Sequence, residues 1–227
     1  MKQVVQSARS GQLALKEVPD ARVRPGHLLI RTRASLISAG TERLVVNFAK
    51  KSLAAKARAR PDLVRKVLDK AKRDGIGATM RAVMARLDEP LPLGYSAVGE
   101  VVEVGAGLEG KFRNGERVAV AGAGLANHSE LSAVPENLCA PVPDDVNDEE
   151  ACFGTLGAIA MNGARLVEAQ LGDVVAVIGA GLVGQLAAQF LDLAGCRVIV
   201  LDYNAERLKL AADSGAELVC DLSQGDP

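Results

Sequence analysis

The chain has 227 residues, of which 48% are hydrophobic, 24% charged and 3% aromatic, and its formal net charge is −1. That composition excludes a disordered, collagenous or highly charged polypeptide and leaves room for one large or two ordinary globular domains. No apolar run reaches the roughly 18 residues of a membrane span, and Met1-Lys-Gln-Val-Val-Gln lacks the apolar core of a secretory signal, so a cytoplasmic protein with no membrane partner is expected.

The first forty residues alternate short strand-like runs with turns. Pro25-Gly26 marks a turn, and His27-Leu-Leu-Ile-Arg-Thr-Arg-Ala-Ser-Leu-Ile37 mixes apolar and polar positions as a half-buried strand does. From residue 43 to 88 the period changes. Leu63, Val64, Val67, Leu68 and Ala71, then Met80, Val83, Met84 and Leu87, recur at helical spacing, with Pro61-Asp62 as a start and Asp74-Gly75 as a stop. Two or three short helices are predicted.

This helical stretch is strongly basic. Between Arg43 and Arg73 stand eleven Lys/Arg against Asp62 and Asp69, so the rest of the chain is acidic. Three readings stay open: a solvated face whose apolar stripe docks on the strands, a cap whose arginines hold the phosphates or carboxylates of an activated sugar, and a nucleic-acid surface. No recognition motif or stacking aromatic accompanies the charge, so nucleic acid is the least supported partner.

From Leu93 strand patterns return, with Gly94, Gly99, Gly105, Gly107, Gly110 and Gly115 punctuating short β-rich runs, which predicts a small barrel rather than an open parallel sheet. Residues 148–166 then read as a largely buried helix. The four cysteines, Cys139, Cys152, Cys196 and Cys220, are scattered with no CxxC and no Cys/His cluster, so each reads as a small buried hydrophobe in a reducing compartment.

Val174-Val-Ala-Val-Ile-Gly179-Ala-Gly181-Leu-Val-Gly184 is the most specific string in the chain. A buried strand must turn sharply into a helix there: Gly179 makes the turn, Gly181 admits a pyrophosphate, Gly184 lets helix and strand pack closely, and Leu182 and Val183 open the helix whose N-terminus faces the anion. A second strand, Cys196–Leu201, closes on Asp202, whose carboxylate is placed to accept the adenosine ribose hydroxyls and to repel a 2′-phosphate. That order of strand, glycines, helix and acid predicts NAD as cofactor. The alternative role for Asp202 is to cap the helix that follows it.

The barrel-then-dinucleotide order resembles the medium-chain dehydrogenase/reductase superfamily, the alcohol-dehydrogenase-like enzymes. The strings that carry the likeness are Pro25–Ile30, Ala39-Gly-Thr-Glu42, Leu93–Gly99 leading into Glu103-Val-Gly105, Asn114–Val118 and the Gly179 motif. Within it, Ser38–Arg43, Asn47–Lys51 and Lys56–Leu63 resemble a subgroup of two-part bacterial oxidoreductases in which a Gfo/Idh-type domain follows. The resemblance implies an α/β chain with a GroES-like barrel domain over residues 1–150, carrying a helical insertion at 43–90, and the first half of a Rossmann domain over 151–227. Residues 174–220 supply one mononucleotide half only, so a further carboxy-terminal region of the same protein is expected.

The resemblance also implies where zinc ligands would stand. Those positions hold Ala39, Tyr95-Ser96 and about Thr155, and the loop that carries a structural zinc elsewhere is absent, so no metal is expected. Without a Lewis acid, polarising a carbonyl falls to hydrogen-bond donors or a general acid. Thr41 occupies a proton-relay position and Tyr95 faces the same cleft, and both are candidate catalytic residues; the alternative is a turn stabiliser and a packing aromatic. His128 reads as a surface or packing residue, with cleft lining as its alternative, and Glu42 as a partner of Arg43. The implied function is an NAD(H)-dependent, zinc-independent oxidoreductase acting on a small alcohol or carbonyl, such as a sugar derivative. A non-catalytic dinucleotide-binding or scaffold module is the other reading. Substrate, direction and homo-oligomerisation are left open.

Overall fold

The computed structural model describes residues 1–50, 52, 55, 58 and 61–225, and so does not take in Lys51, Lys56 and Arg60 of the basic stretch or the side chain of Leu63. Two compact units emerge, Met1–Asp148 and Glu149–Pro227.

The first unit is a curled antiparallel assembly. Strands β3 (His27–Ser35), β5 (Ser96–Val104), β6 (Arg117–Ala121), β7 (Leu131–Pro135) and β8 (Cys139–Pro141) form one sheet in the order β7-β3-β5-β6-β8. A smaller sheet, β2-β1-β4, joins β1 (Lys2–Ser7), β2 (Leu13–Glu17) and β4 (Pro90–Pro92). Inward positions of these strands converge on Leu28, Ile30, Ala97, Val101, Val118, Val120 and Val134. Burying each Leu, Ile or Val contributes about 1.5–3 kcal/mol before entropy is charged, which makes this cluster the anchor of the unit. Register shifts between Leu29/Ile30 and Thr32/Ala34 on the β3–β5 pairing bend the sheet as barrel corners do.

Helices α1 (Ala39–Lys50), α2 (Pro61–Asp74) and α3 (Ile76–Asp88) interrupt the strands. α2 starts and stops at the residues the sequence marks, Pro61 and Asp74, because proline is pre-set for a first turn and glycine follows the end. α2 and α3 pack on each other. Val67, Leu68, Ile76 and Met80 nevertheless remain exposed, so much of the apolar stripe on this pair is in solvent rather than docked.

The second unit is a parallel α/β layer. Strands β9 (Val174–Ile178), β10 (Arg197–Asp202) and β11 (Leu218–Asp221) lie in the order β11-β10-β9, linked by α6 (Leu182–Leu193) and α7 (Ala205–Asp213). Val198 and Val200 of the central strand, with Ala188, Leu191, Leu208 and Ala211 of the helices, make its core. Two expectations change. Residues 148–166 form a short helical turn, α4 (Asp148–Ala151), and a separate helix α5 (Gly154–Leu166). α5 packs on α6 with one face only, leaving Ile159, Met161 and Leu166 exposed. β9 is likewise not buried, Val174 and Ile178 being 57% and 82% exposed, because among the described residues β10 alone pairs with it. Among the described residues no helix is long and apolar enough to cross a membrane.

Candidate functional site

The second unit builds its site from backbone. β9 ends at Ile178 and is followed by Gly179, whose φ of +100° is closed to ordinary side chains, and whose N–H donates to the carbonyl of Leu201 at 2.7 Å. Gly181 is the N-cap of α6, in extended geometry and with no side-chain cap. The first intrahelical bond runs from Gln185 N–H to Gly181 O at 2.8 Å, so the N–H groups of Leu182, Val183 and Gly184 belong to the open first turn, where the helix field favours an anion. A methyl group at Gly181 would meet nothing within 4 Å, whereas one at Gly184 would overlap the carbonyl oxygen of Gly179. Gly184 is therefore fixed by the fold, and Gly181 leaves space for a ligand.

Asp202 closes this loop from the end of β10. One carboxylate oxygen accepts from Ala180 N–H at 2.7 Å and the other from Asn204 N–H at 2.8 Å. The Ala180 amide, ahead of the amides of Asn204 and Tyr203 and the charge of Arg207, holds the carboxyl below its ordinary range against a smaller burial effect. The helix that follows is capped by Asn204, which accepts from Arg207 N–H at 3.0 Å. Capping of α7 thus falls to Asn204, and the ionised Asp202 retains lone pairs for further donors. Sequence reasoning passed over Gln185, which is buried and whose amide donates to Ala180 O at 3.3 Å and Arg207 O at 2.8 Å, tying the glycine loop to α7. A polar residue one step past Gly184, in an otherwise apolar helix start, was the available sign.

The first unit builds its site from side chains. Ser35 ends β3, Ser38 and Glu42 sit around the first turn of α1, and Tyr95 precedes β5. His128 reaches the same place because its loop is stitched to β1 and to the residue before Gly94: Val4 N–H donates to His128 O at 2.9 Å, and His128 N–H to Leu93 O at 2.8 Å. Gly94 has φ +93°, and a Cβ there would lie 2.7 Å from the His128 nitrogen and 3.0 Å from its ring, so the histidine is seated against a residue that must lack a side chain.

Glu42 does not pair with Arg43. It is buried, and its carboxylate lies 3.1 Å from His128 Nε2 on one oxygen and accepts Ser38 N–H at 2.8 Å on the other. The first turn of a helix suits a negative charge. His128 is not a surface residue either: its side chain and that of Glu42 are each only 11% exposed, and its Nδ1 lies 2.9 Å from Ser35 Oγ. Tyr95, half-buried, donates to Ser38 Oγ at 2.8 Å. Thr41 is exposed on the next step of α1. The sequence hides this cluster because its parts are separated by about fifty and thirty residues.

A zinc ion does not fit the positions that hold it elsewhere in such barrels. Ala39 has no donor atom, the Tyr95 hydroxyl bonds Ser38, and Ser96 is a neutral hydroxyl 1% exposed, whereas zinc takes thiolate, imidazole or carboxylate. Glu42 and His128 supply two such groups, and among the described residues no three His, Cys, Asp or Glu converge.

Residues 174–224 match the family model of the 3-hydroxyacyl-CoA dehydrogenase NAD-binding domain. The L-threonine 3-dehydrogenase of Rhizobium rhizogenes is 30% identical over 251 residues, covering 99% of this chain and 63% of that protein. The (R,R)-butanediol dehydrogenase of Bacillus subtilis is 30% identical over 162 residues, or 60% of this chain and 46% of that protein. The chain thus spans between about half and two-thirds of the length of these relatives. Among solved structures, the Escherichia coli quinone oxidoreductase complexed with NADPH superposes with a TM-score of 0.75 at 18% identity, over 100% of this chain and 60% of that one. Fold and relatives agree that the chain belongs to the medium-chain dehydrogenase/reductase superfamily, the alcohol-dehydrogenase-like proteins with a GroES-like barrel and a Rossmann-like unit.

Proposed function

We propose that the protein is an NAD(H)-dependent oxidoreductase that moves a hydride to or from a small alcohol or carbonyl compound, such as a sugar derivative, without zinc. The observation that carries this reading is the Asp202 carboxylate, bonded to Ala180 N–H at 2.7 Å and held against the glycine loop. Gly181 leaves room for a pyrophosphate, the first-turn amides of Leu182, Val183 and Gly184 face it, and Asp202 accepts the ribose hydroxyls. When bound, the nicotinamide cofactor supplies or takes the hydride. In the first unit Tyr95 and Thr41 are the donors proposed to polarise the substrate oxygen in place of a metal, which the donor-poor set at Ala39, Tyr95 and Ser96 supports. The same reading assigns the protein to the two-part bacterial oxidoreductases with a Gfo/Idh-type domain.

Fluorescence titration with NADH and NADPH tests it. Tighter binding of NADH is expected, because a 2′-phosphate would be pressed against a carboxylate; equal affinity or a preference for NADPH overturns the Asp202 role. Elemental analysis is expected to find no stoichiometric zinc and chelators to leave turnover unchanged, and one tightly bound zinc per chain would refute the metal-free reading. NADH binding without oxidation by any candidate carbonyl would favour a module that binds dinucleotide and does no chemistry.

A further inference from the structure

We propose that His128, charge-compensated by Glu42, is the proton reservoir of the barrel unit and exchanges its proton with the reacting oxygen through the Ser35 hydroxyl. This rests on the oxidoreductase reading and adds to it the groups that supply and remove the proton.

Each ring nitrogen of the half-buried imidazole has a partner of a different kind. Nε2 lies 3.1 Å from Glu42 Oε2, and Nδ1 lies 2.9 Å from Ser35 Oγ. An ionised carboxylate only accepts, so Nε2 carries a hydrogen. A serine hydroxyl both donates and accepts: by rotating, Ser35 donates to Nδ1 of a neutral ring and accepts from Nδ1–H of a charged one. The ring can therefore gain or lose a proton without orphaning any polar atom, and Glu42 offsets the charge it gains. A histidine that serves packing alone needs no reversible partner. Gly94 lies against the ring, where an added Cβ would stand 3.0 Å from Nδ1. Ser38 bridges Tyr95 and Glu42, taking the tyrosine hydrogen on its hydroxyl and giving its own N–H to the carboxylate.

Ser35 is half-buried, and its hydroxyl is the ring's partner on the side away from Glu42. In reduction, the carbonyl carbon takes the hydride and its oxygen takes the Ser35 proton. Ser35 in turn takes the proton from Nδ1 of the imidazolium, leaving a neutral ring that accepts the Ser35 hydroxyl hydrogen. Oxidation runs the same steps backwards. His128 and Glu42 act through Ser35 and are positioning residues, with Ser35 the group in contact with substrate.

The chain contains two histidines, His27 and His128, so ring-nitrogen NMR of labelled protein reads His128 directly, with His128→Gln giving the assignment and His27 an internal reference. Nε2 of His128 is expected to carry its hydrogen toward Glu42, seen as a one-bond N–H coupling, with Nδ1 the nitrogen that exchanges hydrogen with Ser35; an Nε2 without a hydrogen, or an Nδ1 whose signal is unchanged by Ser35→Ala, overturns the proposal. In the complete protein, turning over a carbonyl substrate, His128→Gln and Ser35→Ala are expected to lower kcat by about 100-fold or more with NADH affinity changed less than about twofold. Free imidazole should restore His128→Gly, and pyrrole, the same shape without a basic nitrogen, should not. Equal rescue by both, or unchanged kcat, overturns it. If the wild-type protein transfers no hydride, the oxidoreductase reading falls and the nitrogen spectra still decide the pair.

Discussion

The two candidate sites are made of different materials. In the second unit, the candidate site is the main chain of a continuous stretch from Gly179 to Gly184, and one carboxylate, Asp202, closes the loop. In the first, five side chains from three separated segments converge: Ser35, Ser38 and Glu42, then Tyr95, then His128. A backbone site fails when a glycine gains a side chain, because steric room is its only specification. A side-chain site fails when one partner is lost, because a buried charge or donor is then left unanswered.

The sharpest way to break the contrast lies within the glycine loop. Gly184→Ala would drive a methyl into the Gly179 carbonyl and is expected to cost about 3 kcal/mol of stability together with cofactor binding, seen as a lower Tm and a flat NADH titration. Gly181→Ala meets no atom and should keep the wild-type Tm within about 0.5 kcal/mol while weakening NADH by more than about tenfold, roughly 1.4 kcal/mol. If the two variants behaved alike, the division between a fold glycine and a ligand glycine would be wrong.

In the barrel unit, Glu42→Ala leaves His128 Nε2 and Ser38 N–H without their acceptor. A loss of about 2–3 kcal/mol by denaturant unfolding is expected, with Glu42→Gln losing less because the amide oxygen still accepts one of them. A neutral effect of Glu42→Ala would mean that the pair contributes nothing to the native state.

Asp202 links the comparison to pH. Its carboxyl is held below the ordinary 3.8, chiefly by the Ala180 amide. A depressed folded value means that the stabilisation is present above the unfolded value and is lost as pH falls through the folded one. Asp202→Asn should flatten that acid limb below about pH 4 by well under 1 kcal/mol, since the carboxyl is only half-buried, and should narrow the NADH-over-NADPH preference roughly tenfold. Urea melts at pH 3 and 6 check the first effect, and paired titrations the second.

The smallest effect is expected at Cys139, which opens β8 of the first unit. Burial, with the charge of Glu136 adding to it, pushes the Cys139 thiol up to about 12. Its contribution is therefore complete below the unfolded value of 9.0 and fades as pH rises toward 12. Native protein at pH 8 should alkylate at Cys139 at least about tenfold more slowly than protein in urea, read by mass spectrometry; equal rates would mean that the thiol is not shielded.

The sequence by itself determined what depends on contiguous pattern. The Gly179–Gly184 turn, Asp202 at a strand end and the Pro61–Asp74 helix were all legible, since strand-to-helix turns, caps and periodicity are local properties of the chain. Tertiary structure decided the rest. That Glu42 meets His128 rather than its neighbour Arg43 follows from Leu93 and Val4 pinning the His128 loop beside α1, a long-range arrangement with no local trace. Exposure was decided the same way: α5 and β9 carry the apolar content of buried elements, yet each packs on one side only among the described residues, because burial is set by neighbours and not by composition.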